Sequence, residues 1–163
     1  MDIALVRVDN RLVHGQILEA WIPFIEATCI VVVDDHVAND FFRETVIKMA
    51  VPSDVEVIIT TIEDFSYHYK DRDGSNKKTI VLFSNIGDVL RAVNLGFKFV
   101  RLNIGNVYNE NCRTHCSTSV LLGDSDLKDI EALLKAGIRM ELQRVPKEKP
   151  IDIRRTLNTS VET

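Results

Sequence analysis

Short aliphatic and β-branched runs punctuate the chain, and segments with helical spacing separate them. The runs are Ile3–Val8, Cys29–Val33, Val55–Thr60, Thr79–Phe83, Phe99–Ile104 and Ile138–Val145. Most are nearly continuous rather than alternating, which is the pattern of strands covered on both faces, as in a parallel sheet. Only Arg139–Val145 alternates, so this strand is expected at an edge with one wet face. Between the runs lie helix signals. Asn39 is expected to cap a helix carrying Phe42, Val46, Ile47 and Met49 on one stripe, stopped by Pro52. Thr61 and Asp64 have capping-box spacing, with Ile62 and Phe65 facing inward. Asn85 can cap Ile86–Leu95, and Gly96 suits the left-handed position after it. The cluster Asp124–Asp126 opens Leu127–Ala136, closed by Gly137. Trp21 and Pro23 read as packing and termination of the first helix. Lys70–Lys78 reads as a solvated loop, and the tail after Pro150 as a short helix or frayed chain. This alternation specifies an α/β fold: a doubly wound, mainly parallel central sheet with helices on both faces, expected as one domain over residues 1–163.

Composition narrows the function. The 163 residues are 45% hydrophobic and carry a formal net charge of −4, so no global basic field invites nucleic acid. No apolar run approaches the ~18 residues of a membrane span. The opening MDIALVRVD lacks a basic n-region, so a cytoplasmic location is expected. The odd set Cys29, Cys112 and Cys116 argues against a disulfide framework, and Cys29 reads as a core residue.

In doubly wound sheets, ligands gather beyond the carboxyl ends of the strands. The residues there are Asp9–Gln16, Asp34–His36, Ser84 with Asn85, and Asn103–Asn106. Among them, RVDNRLVHGQI (Arg7–Ile17) places His14 in the first βα loop, beside a helix start where N–H groups and the dipole welcome an anion. Arg11 offers a permanently charged fork for phosphate oxygens. Asp9 can fix the imidazole tautomer or orient Arg11, and Gly15 permits a close backbone approach. An imidazole titrating near ~6.5 is substantially neutral and nucleophilic at neutral pH. Phosphoryl transfer through His14, needing no metal, fits these residues; a structural turn histidine fits them as well.

Other clusters are weaker. Cys112, His115 and Cys116 would share one helical turn, but a fourth zinc ligand is missing. They read as loop residues, or as an oxidation-sensitive pair if Arg113 lowers a thiol. Asp34, Asp35 and His36 read as strand-end capping, and His68 as surface. No Walker loop and no GxGxxG follows a strand, so neither a nucleotide cofactor nor a metal is expected.

The RxDxRLxHGQ pattern of Arg7–Gln16 resembles the signature of the IIB components of the mannose/fructose/sorbose family of the bacterial phosphotransferase system (PTS). The blocks VVVDDHVANDFFRETVIKMAVPSDV, TIVLFSNIGDVLRAVNLG, LNIGN and DSDLKDIEALLKAGIRMELQRVP extend the likeness over nearly the whole chain. The resemblance implies that His14 accepts a phosphoryl group from a phosphohistidine on a IIA protein. It implies onward delivery to a sugar bound by the IIC and IID membrane permease, with peripheral membrane association. It casts Arg11 as stabiliser of the transferring group, Asp9 as support, Gly15 and Gln16 as loop formers, and Ser84 and Asn85 as pocket rim. Two stretches depart from the family pattern: Gly105, Asn106, Val107, and the cysteine-rich YNENCRTHCSTSVLLGD. They leave an alternative, a IIB-like regulatory phosphoprotein that binds a partner rather than supporting sugar uptake.

Overall fold

A computed structural model describes residues 1–72 and 76–161. The main sheet contains β1 (Asp2–Asp9), β2 (Cys29–Val33), β3 (Glu56–Thr60), β4 (Lys78–Phe83) and β5 (Arg101–Asn106). Two strands at Thr114–Ser117 (β6) and Val120–Leu122 (β7) form a separate antiparallel hairpin. β8 (Arg139–Leu142) and β9 (Ile151–Asp152) complete the main sheet, whose order is β3-β2-β4-β1-β5-β8-β9. All of its pairings are parallel except β8 with β9. The expected edge at β8 is therefore corrected. The chain turns back after Pro150, and β9 covers β8, shielding the ladder that an alternating strand would have left open.

The direction of travel sorts the helices. From β1 the chain moves to β2 and then β3, and right-handed crossovers place the connecting helices on one face. These are a π-helical stretch, Gln16–Trp21, running into α1 (Ile22–Ile25), then α2 (Asp35–Ala38) and α3 (Phe41–Ala50). From β3 onward the chain moves the other way. α4 (Ile62–His68), α5 (Ile86–Asn94), α6 (Asp124–Lys135) and α7 (Ile153–Val161) accordingly join the opposite face. Val6, Val8, Val81, Phe83, Leu102 and Ile104 form the core of that second face. On the first face, Ile30, Val32, Ile80 and Leu82 pack against Ile17, Trp21 and Ile22. Because no leftward connection remains after β4, no helix among the described residues is delivered to the first face over β5 and β8. A groove of about 740 Å³ opens there, lined by Trp21, Phe24, Val100, Arg101, Asn103 and Gln143 among others.

Local signals mostly form as expected. Thr61 accepts from Asp64 N–H at 3.1 Å, with Ile62 and Phe65 buried behind it. Asn85 caps α5 through Asp88 N–H at 2.8 Å, and Gly96 and Gly137 take φ of +110° and +88°. Several expectations need correction. Asp40, not Asn39, caps α3, because a separate turn of helix, α2, uses Asn39 at its own end. The α3 stripe divides: Ile47 packs against the core, whereas Phe41 and Met49 are 83% and 81% exposed and Phe42 and Val46 are also exposed. Pro23 does not end the first helix: it lies at the second position of α1, where the π-helical stretch gives way to α-helix, and the helix runs on to Ile25. The chain leaves that helix at Glu26, in a left-handed conformation with φ +59°. Tyr69–Arg72 forms a 3₁₀ turn, and of the expected loop Lys70–Lys78, Asp73 to Ser75 lie outside the described residues.

Replacing Thr61 by Ala removes the α4 cap and is expected to cost about 1 kcal/mol. Urea unfolding should show a lower midpoint with an unchanged slope.

Candidate functional site

β1 lies next to β4 and β5, at the point where the connections leaving the sheet change face. The loop after β1 therefore opens into the crevice where such folds bind ligands. Its path is set by two residues. Asp9 carbonyl accepts from Leu12 N–H at 2.9 Å, closing a turn. Leu12 then adopts φ +56°, a left-handed conformation uncommon for a bulky residue, and buries its side chain with Ile17 and Trp21. That burial holds the turn and folds Val13 and His14 back over the strand end.

The histidine comes to rest on a carboxylate. His14 Nε2 lies 2.7 Å from Asp9 Oδ2, with the imidazole side chain 7% exposed and that of Asp9 fully buried. The same oxygen accepts from Asn106 Nδ2 at 2.9 Å and from Arg7 Nη2 and Nε at 3.1 and 3.3 Å. Asp9 Oδ1 accepts from Arg11 N–H at 3.0 Å. Burial pushes the Asp9 carboxyl upward. Hydrogen bonds from His14 and Asn106, the charge of Arg7 and the Arg11 N–H outweigh it and hold the carboxyl below its ordinary value. An ionised Asp9 accepts only, so Nε2 is the donor and carries a proton, and in the neutral ring the Nδ1 lone pair is left to act as base or nucleophile.

Arg7 was not singled out from sequence, yet the site is built around it. It is fully buried within β1, and burial draws its guanidinium below its ordinary value while Asp9 opposes the shift. It remains charged, as guanidinium does in proteins. Besides the two bonds to Asp9, Nη2 donates to Gln16 Oε1 at 2.9 Å, and Nη1 donates to Asn103 Oδ1 at 2.6 Å and Gln143 carbonyl at 2.9 Å. A cation inside an apolar strand flanked on both sides was the available signal, because such a residue must find partners in the interior. Gln143, which lies beyond the short β8, gave no such signal.

The expected residues are placed unevenly. Gln16 accepts from both Arg7 and Asn106, so it ties the loop to β1 and β5. Arg11 is exposed, leaving its guanidinium free to meet a ligand on the loop surface. Gly15 has an ordinary helical φ of −51°, and a Cβ there would meet open space, so the backbone does not demand glycine. Ser84 and Asn85 follow β4 beside β1, but their hydrogen bonds run to each other and to Asp88 in α5. Asn103 and Asn106 of β5 reach the network instead. The groove over β5 and β8 lies behind the site, sharing Asn103 and Gln143 with the Arg7 cluster, and His14 does not line it.

The remaining clusters resolve into structural roles. Asp34 caps α2, while Asp35 accepts from Ile62 N–H and pairs with Arg91 at 2.7 Å. His68 is exposed and pairs with Asp71 at 3.0 Å. The one-turn arrangement of Cys112, His115 and Cys116 is overturned, because His115 and Cys116 lie on strand β6, where neighbours face opposite ways. The expected lowering of a thiol is reversed at Cys116. Burial, with Cys112 nearby, pushes it up to about 11, and Arg113 is instead 3.6 Å from Asp124. Among the described residues, no three His, Cys, Asp or Glu side chains gather as a metal site, and no helix is long and apolar enough to cross a membrane.

Comparison with known proteins gives this geometry a context. The family model for the PTS system sorbose subfamily IIB component matches residues 3–162. The chain is 31% identical over 152 residues to the PTS system fructose-specific EIIB component of Bacillus subtilis (strain 168), covering 93% of each. It is 30% identical to the PTS system mannose-specific EIIAB component of Escherichia coli (strain K12), covering 94% of this chain and 48% of that protein. The crystal structure of the IIBSor domain of the sorbose permease from Klebsiella pneumoniae superposes with a TM-score of 0.89 at 28% identity, over 98% of each chain. The chain thus belongs to the sorbose subfamily of PTS IIB components, the phosphotransfer subunits of a sugar phosphotransferase system.

Proposed function

We propose that the chain is a cytoplasmic phosphoryl carrier that takes a phosphoryl group onto Nδ1 of His14 and passes it to a sugar. The observation that carries this reading is the His14 Nε2 to Asp9 Oδ2 hydrogen bond at 2.7 Å. It fixes the proton on one ring nitrogen and turns the other into a nucleophile. The donor is a phosphohistidine on a cognate IIA protein. The Nδ1 lone pair attacks phosphorus as the donor's P–N bond breaks, and the donor imidazole leaves with that electron pair. Positive charge then develops on the His14 ring, beside the ionised Asp9. The three equatorial oxygens carry negative charge in flight, and the exposed Arg11 guanidinium with the N–H groups at the helix start meets it. In the second step a sugar hydroxyl, presented by IIC and IID membrane components, attacks phosphorus. The His14–phosphorus bond breaks, and the hydroxyl proton passes to a base or to water. Placement in the loop after β1 brings His14 to the carboxyl ends of the strands, the side from which partners would approach it.

Incubation with the general phosphotransferase proteins, a IIA protein and labelled phosphoenolpyruvate should put acid-labile label on the protein. His14→Ala should carry none, and undiminished label on that variant would remove His14 from the role. Label that reaches His14 but yields no sugar phosphate with IIC and IID membranes would favour the regulatory alternative.

Arg11→Lys keeps the charge and loses the planar fork, so transfer should slow by roughly tenfold or more. Its thermal midpoint should stay within about 2 °C of wild type, since Arg11 holds the loop through its backbone N–H alone. Comparable losses of stability and rate would sink this assignment.

Asp9 has a lowered carboxyl in the folded state, so its stabilisation is present above the unfolded value of about 3.9 and is lost as pH falls through the lowered one. Asp9→Asn should therefore be less stable than wild type at neutral pH, with the gap closing under acid. Denaturant titrations across that pH range measure it.

A further inference from the structure

We infer that Arg7, a residue to which no role is assigned, is the positioning residue that fixes which nitrogen of His14 is nucleophilic, acting through Asp9. The inference rests on the phosphoryl-carrier reading and deepens it.

The guanidinium has five N–H donors, and the structure gives an acceptor to every one. Nε and one Nη2 hydrogen go to Asp9 Oδ2, and the other Nη2 hydrogen goes to Gln16. Nη1 serves Asn103 and the Gln143 carbonyl. A saturated, fully buried guanidinium has no donor left for a phosphoryl group, so Arg7 does not take part in the chemistry directly. Its product is orientation. Two of its bonds converge on Oδ2, the oxygen that holds His14 Nε2, and its bond to Gln16 reaches the residue two beyond His14. The Trp21 ring lies 5.5 Å from its Cζ, closing one side.

Gly105 supplies a second, independent observation. A Cβ on Gly105 would overlap the Arg7 guanidinium, although Gly105 has no positive φ to account for its glycine. The strand next to β1 has therefore given up a side chain to make room for this cation. Asn106, the next residue, donates to both Asp9 Oδ2 and Gln16 Oε1 and so bridges the same two acceptors from the other strand. Cation, cavity and bridge all address the one carboxylate oxygen.

The first readout is of the ring itself and needs no phosphoryl donor; the second is the rate of phosphorylation. Histidine 15N and 13C NMR of the full chain, at a pH where the ring is neutral, should show His14 in wild type as a single Nε2–H tautomer. Arg7→Lys offers three donors without the fork, and Gly105→Ala displaces an unaltered Arg7. Both should show a mixture containing the Nδ1–H form and be phosphorylated at least tenfold more slowly per folded molecule. Folding is checked by amide dispersion in the same samples. Should either variant fail to fold, Asn103→Ala, which removes one Nη1 acceptor and keeps the charge, carries the comparison. An unchanged Nε2–H tautomer in the folded variants would overturn the inference, as would a rate loss matched by lost folded protein. Absence of label on wild-type His14 would instead defeat the carrier reading, and the tautomer comparison would still decide the role of Arg7.

Discussion

The buried pair of Arg7 and Asp9 is the interaction on which the rest of the site depends. Both side chains are fully withdrawn from water, at 3.1 Å in β1, on the central part of the sheet. A lone buried charge is not tolerable, and breaking such a pair by removing one partner costs on the order of 3–5 kcal/mol. The protein keeps both because each supplies what the other needs. Asp9 gives Arg7 its counter-charge, and Arg7 joins the hydrogen bonds from His14 and Asn106 in keeping Asp9 ionised where burial favours the neutral acid. From that balance follow the accepting oxygen under His14, the donor role of Nε2 and the glycine at position 105.

Chain direction explains where this pair lies. β1 leaves the sheet toward one face, while β4 and β5 leave toward the other, so the loop after β1 has open space above it. The same asymmetry leaves one face of β5 and β8 without a helix among the described residues. Side chains from β1, β5 and the chain after β8 meet there, and polar Arg7, Asn103 and Gln143 occupy what an all-apolar layer would otherwise fill. A buried polar layer is stable only when satisfied, and no buried side-chain nitrogen or oxygen among the described residues lacks a partner.

Much of this was legible in the residues. Continuous apolar runs announced parallel strands, and Thr61, Asn85, Gly96 and Gly137 announced helix ends, because these signals act within a few residues of chain. The errors lie where the fold of a neighbouring element overrides a local signal. Asn39 and Asp40 are both competent caps, and only the extra turn α2 decides between them. Alternation in β8 signalled a half-exposed strand correctly in type, but the chain turns back and β9 covers its edge. Cys112, His115 and Cys116 have helical spacing by number alone, and the hairpin with Val120–Leu122 overrides it. In each case a neighbouring element, folded by its own packing and pairing, overrode what residue spacing alone suggested.

The sequence by itself determined the alternating fold, the loop that carries His14, and the presence of a carboxylate and an arginine near it, since covalent spacing and local backbone preference are enough for these. Tertiary structure decided which arginine is enclosed and which is exposed. Arg7 and Arg11 stand four positions apart in one motif, yet one is enclosed by β5 and the chain after β8 and the other faces solvent. A guanidinium becomes a fixed internal donor array or an exposed group according to whether strands from elsewhere in the chain close over it. That closure is a property of packing, which local sequence does not contain.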